Sequence, residues 1–349
     1  MEPQDGYSGA GESRGSESEF SGNGQSVPQE PAPCPSTTLG REYLHTASVF
    51  FGVFMIFVGT ILGQIVFARL LQLFGIDYRE NDIAYFLISA LPMYVIGMPL
   101  SLIVFRQSRP LPPRQGKKIT FGAMVCLFCA CMSLSLLGGL IGNLVNGILE
   151  FLTGRTSENP VEELTRNTPF WINFLLVAIV APVMEELVYR KLVMDRLRRY
   201  GDICAVFGSA LLFGAIHGNF SQYYYALFVG IVFGWIYTYS GKLRYSIILH
   251  ILFNTLGVVS SEIVRLAGGS EAVASGGMDQ PLWLILFLLA EEGLYLLSFV
   301  GTILAGILLI RKLRPQKSVV RLTLKQQLFL LFLNPSVWAL LVLLILLSL

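Results

Sequence analysis

The sequence predicts an all-α fold, a polytopic transmembrane helical bundle of about nine spans with a disordered N-terminal tail. Three observations predict it. Of the 349 residues, 54% are hydrophobic and 14% charged, against about 25% charged in a typical soluble domain. Long uncharged apolar runs recur from residue 47 to the end, and a bilayer core needs about 20 such residues per helix. Lysines and arginines gather in alternate connections between the runs, as they do in membrane proteins.

Residues 1–40 are rich in Gly, Ser, Glu, Pro and Gln, so they cannot bury enough apolar area to offset their ordering entropy. The expected organisation is a disordered cytoplasmic tail over 1–45, N-terminal transmembrane helices over 46–167, a core over 168–260 and C-terminal transmembrane helices over 261–349. The first apolar run begins too late and is too long for a signal-peptide core. Spans are expected at 47–76, 83–105, 120–149, 168–199, 203–218, 222–240, 244–260, 281–310 and 328–349. The fifth to seventh are short and contain Gly, His, Asn and Tyr, which suits interior helices shielded by the others. With the N-terminus in the cytoplasm, eighteen lysines and arginines fall in the cytoplasmic connections. The outer segments hold Arg79, Arg155, Arg166 and Arg265. This asymmetry follows the positive-inside rule, puts the C-terminus outside and fits a multi-pass protein of the cell membrane.

Ionisable residues inside a membrane are costly and are read first as functional. The fourth span carries Glu185, Glu186 and Arg190. Residues four apart share a helix face, while adjacent ones point about 100° apart. Glu186 is therefore expected to pair with Arg190, and Glu185 to face a pocket as a general base. Pro182 removes a backbone donor nearby and loosens the helix. His217 lies as far after the turn at Gly201 as Glu185 lies before it. In antiparallel helices the two fall at one depth, roughly 24 Å from the turn, with the segment Arg190–Arg199 projecting past the bilayer as a basic amphipathic end. His250 and Asn254 share one face of the seventh span. They suit oxyanion stabilisation or, equally, interhelical hydrogen bonds.

Together these groups suit hydrolysis of an acyl bond, most readily a peptide bond. Glu185, helped by His217, would deprotonate water, and His250 and Asn254 would hold the carbonyl oxygen. The same glutamate and two histidines also suit zinc with a water as fourth ligand, although the HExxH spacing is missing.

The patterns Glu185-Glu186-x-x-x-Arg190, Phe213-x-x-x-His217 and His250-x-x-x-Asn254 resemble the three motifs of the CPBP family of intramembrane proteases, also called the CAAX protease and bacteriocin-processing, or Abi, family. The resemblance spans roughly 168–260 and is complete at every motif position. It implies an intramembrane endopeptidase in which Glu185 and His217 activate water and His250 and Asn254 form the oxyanion hole. It leans against a metal while leaving zinc open, since the family is often labelled metalloprotease. Its expected partners are membrane lipid and a peptide or protein substrate, prenylated in the CAAX case, and no nucleic acid. Bacteriocin immunity, a non-catalytic membrane scaffold and a transporter are the competing classes. No internal repeat of the kind transporters show is visible.

Other features read as structural. Cys126, Cys129 and Cys131 suit small-residue packing better than a metal, and the five cysteines form no disulfide framework. Glu162-Glu163 reads as a solvated loop, and the sequon Asn219-Phe-Ser221 as a chance match in a short loop. Glu291-Glu292, inside the eighth span, is expected to line a wet cavity or to meet Arg69 of the first span.

Overall fold

The computed structural model describes residues 38–78, 80–112, 114–154, 168–268, 273, 281–312, 315–320 and 322–348. The tail to residue 37, Arg79, Arg155, Glu162-Glu163 with Arg166, and Cys34 lie outside the described residues. Among the described residues all regular structure is helical. The helices are α1 (Leu39–Leu73), α2 (Ile83–Phe105), α3 (Phe121–Thr153), α4 (Phe170–Tyr200), α5 (Asp202–Ala215), α6 (Phe220–Ser240), α7 (Leu243–Leu266), α8 (Leu282–Lys312), α9 (Leu324–Phe332) and α10 (Pro335–Ser348).

Every expected span has a helix at its place, but fewer than nine qualify alone. Six helices are long and apolar enough to cross a membrane, and α9 with α10, bent by 48° between them, makes a seventh. This is a multi-pass membrane protein. The two remaining spans differ for a physical reason. The 14 residues of α5 reach only about 21 Å, short of a core of about 30 Å. The start of α6 carries Gln222, Tyr223, Tyr224 and Tyr225. Both helices bury most of their side chains inside the bundle, as interior helices should.

The boundary expected at residue 45 falls inside α1, which begins at Leu39. Glu42 explains the extension. It is fully buried, and its carboxylate accepts from Arg199 Nη2 and Tyr200 Oη, each at 2.9 Å. A buried carboxylate with two such donors holds the first turns in place.

The connections expected on one side of the membrane do meet at one end of the bundle. Leu111 N donates to Asp195 O (2.7 Å), Lys117 N to Tyr239 O (3.1 Å), Asp202 N to Gln316 O (3.1 Å) and Val319 N to Arg199 O (3.0 Å). The tip of the α4–α5 hairpin does not project as a free amphipathic end. Arg196 is buried and donates to Phe105 O and Ser108 O, and Arg198 is buried against Asp195 and Pro112 O. Guanidinium groups with several donors find enough carbonyl acceptors in the neighbouring loops to be covered by them.

Small residues let the helices approach closely. A Cβ on Gly301 of α8 would stand 2.4 Å from Cys129 Cβ of α3. Thr302 also bonds Ser133 there. The described cysteines are free thiols, and Cys131 is buried, in keeping with packing. At Gly138 an added Cβ would meet backbone, 2.4 Å from Tyr225 Cα, which cannot give way cheaply. Gly138→Ala is therefore expected to destabilise the fold by about 1–3 kcal/mol through overpacking, read as a lower thermal unfolding midpoint in detergent. An unchanged midpoint would show that α3 and α6 do not touch there.

The sequon is a helix cap. Asn219 Oδ1 accepts from Gln222 N at 2.9 Å and the side chain is buried. Arg69 reaches Gln72 at 3.4 Å, while Glu291 accepts from Ser260 Oγ of α7 at 2.9 Å. Among the described residues the expected Arg69–Glu291/Glu292 ion pair is not formed; α8 turns Glu291 toward α7.

Candidate active site

The site begins with an irregularity in α4. Pro182 has no N–H to donate, and the helix around Ala181–Glu186 widens into π-helical turns over Phe174–Val180 and Leu187–Met194. In a π turn each residue bonds the one five earlier, which for Pro182 is Val177. That carbonyl lacks its usual partner, and Asn254 Nδ2 of α7 donates to it at 2.9 Å. The loosened backbone thus ties α7 to α4.

One turn further on, Glu186 and Arg190 are fully buried. Arg190 donates from Nε and Nη2 to the two carboxylate oxygens at 3.0 and 3.2 Å. Its Nη1 donates to Ser209 Oγ of α5 at 2.9 Å, and that hydroxyl donates to Tyr189 O at 3.0 Å. The rings of Phe213 and Phe233 flank the guanidinium at 5.8 and 5.9 Å, within cation–π range. This side of α4 is closed and saturated.

Glu185 is the other case. Its closest ionic partner is His250 Nε2 at 3.6 Å, while His250 Nδ1 stands 3.4 Å from Glu186 Oε1. Both are ion-pair separations, longer than hydrogen bonds. The His250 ring is wedged between Phe233, at 4.7 Å, and the edge of Phe213, at 5.6 Å. Phe213 also meets His217 edge-on at 5.3 Å. His217 Nδ1 donates to Phe213 O at 2.9 Å. A carbonyl only accepts, so the neutral ring holds its hydrogen on Nδ1 and a lone pair on Nε2.

Glu185, His217, His250 and Asn254 line one cavity of about 1240 Å³. Phe86, Leu136 and Phe170 add apolar wall, and the lining continues along α7 to Arg265. The cavity occupies the half of the bundle away from the basic connections.

All six candidate residues therefore surround one place, with a different set of partners from the expected one. Glu186–Arg190 forms as the four-residue spacing predicts. Among the described residues His217 makes no hydrogen bond to Glu185, and the group beside Glu185 is His250. Asn254 uses one amide hydrogen between helices. A carboxamide nitrogen carries two, so one remains for the cavity. Ser209 was not singled out by sequence reasoning, although it stands four residues before Phe213 on α5 and eight before His217, just past the end of that helix, a legible spacing. Among the described residues no three His, Cys, Asp or Glu side chains group closely enough to hold a metal ion.

Known proteins are similar to parts of this chain. Residues 167–256 match the family model described as type II CAAX prenyl endopeptidase Rce1-like. The chain is 23% identical over 170 residues to the putative membrane peptidase YdiL of Bacillus subtilis (strain 168), covering 48% of this chain and 68% of that one. It is 30% identical over 103 residues to the membrane-embedded CAAX protease MroQ of Staphylococcus aureus (strain USA300), covering 28% of this chain and 41% of that one. No solved structure matches.

Proposed function

Because residues 167–256 match the family model described as type II CAAX prenyl endopeptidase Rce1-like, we propose that the protein is an intramembrane endopeptidase and that Glu185 is its general base. The observation that carries this reading is the division of the glutamate pair: Arg190 saturates Glu186, whereas Glu185 faces a cavity beside His250.

In the proposed reaction a water sits between Glu185 and the Nε2 lone pair of His217. Its oxygen adds to the scissile carbonyl carbon as its proton passes to Glu185. The carbonyl oxygen takes negative charge and accepts from His250 Nε2–H and the free amide hydrogen of Asn254, an electrostatic stabilisation worth several kcal/mol at such sites. The intermediate then collapses, the C–N bond breaks, and Glu185 returns the proton to the leaving amine. No step passes through a metal. The substrate is a peptide segment presented from the membrane, and the apolar wall suits an aliphatic attachment such as the prenyl group in the family's description. The positive-inside rule supports a cytoplasmic N-terminus in a cell-membrane protein, and with that orientation the cavity belongs to the outer half.

The test is the full-length protein in lipid nanodiscs with a mixed peptide library, new termini being read by mass spectrometry. Cleavage is expected, and excess EDTA or phenanthroline is expected to leave its rate unchanged. Loss of the rate with recovery on adding zinc would overturn the metal-free mechanism. No cleavage of any peptide would overturn the enzyme reading.

A further inference from the structure

The cavity carries two carboxylates outside all three motifs, Glu262 and Glu291. Glu291 lies in the first third of α8, lines the cavity and accepts from Ser260 Oγ of α7 at 2.9 Å. Its neighbours do not neutralise it. Arg265, the cation nearby on α7, donates to both oxygens of Glu262 at 2.6 and 2.8 Å. Among the described residues Glu291 has a hydroxyl donor and no cationic partner. A carboxylate within a membrane span needs a partner or water to offset its desolvation, and a wet cavity with a cation brought by the ligand supplies both.

From this geometry we infer that Glu291 is a specificity residue that receives a lysine or arginine side chain of the substrate. The inference rests on the endopeptidase reading and adds the substrate class to it. The α7 helix acts as a ruler. Its Asn254 and His250 mark the reacting carbonyl, and Ser260 marks Glu291, six and ten residues further along. At about 1.5 Å per residue this is roughly 9–15 Å. An extended peptide advances about 3.3 Å per residue, so the basic residue falls about three to five positions from the scissile bond. Hydrogen bonding by Ser260 holds the carboxylate toward the cavity, and the self-paired Glu262–Arg265 neither competes for the incoming cation nor repels it strongly.

The experiment uses the full-length protein in nanodiscs and two peptide libraries, identical except for Lys or Gln at each position within five of the cut. Wild-type protein is expected to cleave the lysine peptides about tenfold better at one position three to five residues from the bond, and equally elsewhere. That measurement needs no variant. Glu291→Gln is expected to bring the Lys/Gln ratio to about one, and Glu291→Lys to bring it below one. A wild-type ratio near one at every position overturns the inference while leaving the endopeptidase reading intact. A ratio that survives Glu291→Gln in folded protein also overturns it. Absence of cleavage in both libraries overturns the endopeptidase reading, and the inference with it.

Discussion

Glu185→Gln is expected to lower the cleavage rate by about 10³-fold or more, within the range assigned to a positioned general base. The substitution keeps the length and volume of the side chain and removes its capacity to take a proton. The reading separates function from folding, because among the described residues Glu185 bonds no backbone group and its ionic neighbour His250 also stands 3.4 Å from Glu186. The thermal unfolding midpoint of the variant should match or exceed that of the wild type, since an amide is cheaper to bury than a carboxylate. A folded Glu185→Gln protein that cuts at full rate would remove Glu185 from the chemistry. His217→Ala is a milder companion. It leaves the base in place and deletes the Nε2 lone pair, so the loss should be smaller than for Glu185→Gln.

Arg190→Met is expected to unfold the core rather than slow it. The change leaves Glu186 ionised and fully buried with both carboxylate oxygens short of their main donors. Breaking one partner of a buried pair costs about 3–5 kcal/mol, because the remaining charge loses its compensation while staying dry. Ser209 also loses the guanidinium that its hydroxyl accepts from. The double replacement Glu186→Gln with Arg190→Met should recover much of that loss, since neither charge then remains. Thermal unfolding of the three proteins in one detergent checks this. An Arg190→Met protein as stable as wild type would mean that the pair is solvated, which its zero exposure argues against.

The features legible in the sequence are the local ones. Hydropathy marked the place of each apolar helix, because partition into lipid depends on the composition of a single segment. It did not mark all of the ends, since α1 begins eight residues before the expected span and one expected span holds both α9 and α10. The Glu186–Arg190 pair followed from a spacing of four, because neighbours on one helix meet whatever surrounds them. The hairpin count brought His217 to the level of Glu185, and both line the cavity, because antiparallel helices share one rise per residue. The alternation of basic connections foretold which loops meet at one end of the bundle.

What lay beyond it depended on how each helix is rotated about its axis and where it crosses its neighbours. A single extra residue in a π turn rotates all that follows by about 100°, and α4 contains two such stretches around the site. Such a rotation is invisible in a pattern of residue types, and in the folded chain His250 rather than His217 stands beside Glu185 while Asn254 meets the Val177 carbonyl. The same holds for Glu291, where the sequence determined only that a carboxylate lies inside a span. Its partner, Ser260 rather than Arg69, was decided by which face of α8 turns toward α7. The sequence by itself thus determined the membrane-spanning helices, the buried ion pair and the identity of the polar residues. The tertiary structure alone decided which of those residues touch, because contact between helices is a property of azimuth and crossing, and neither is written in any one segment.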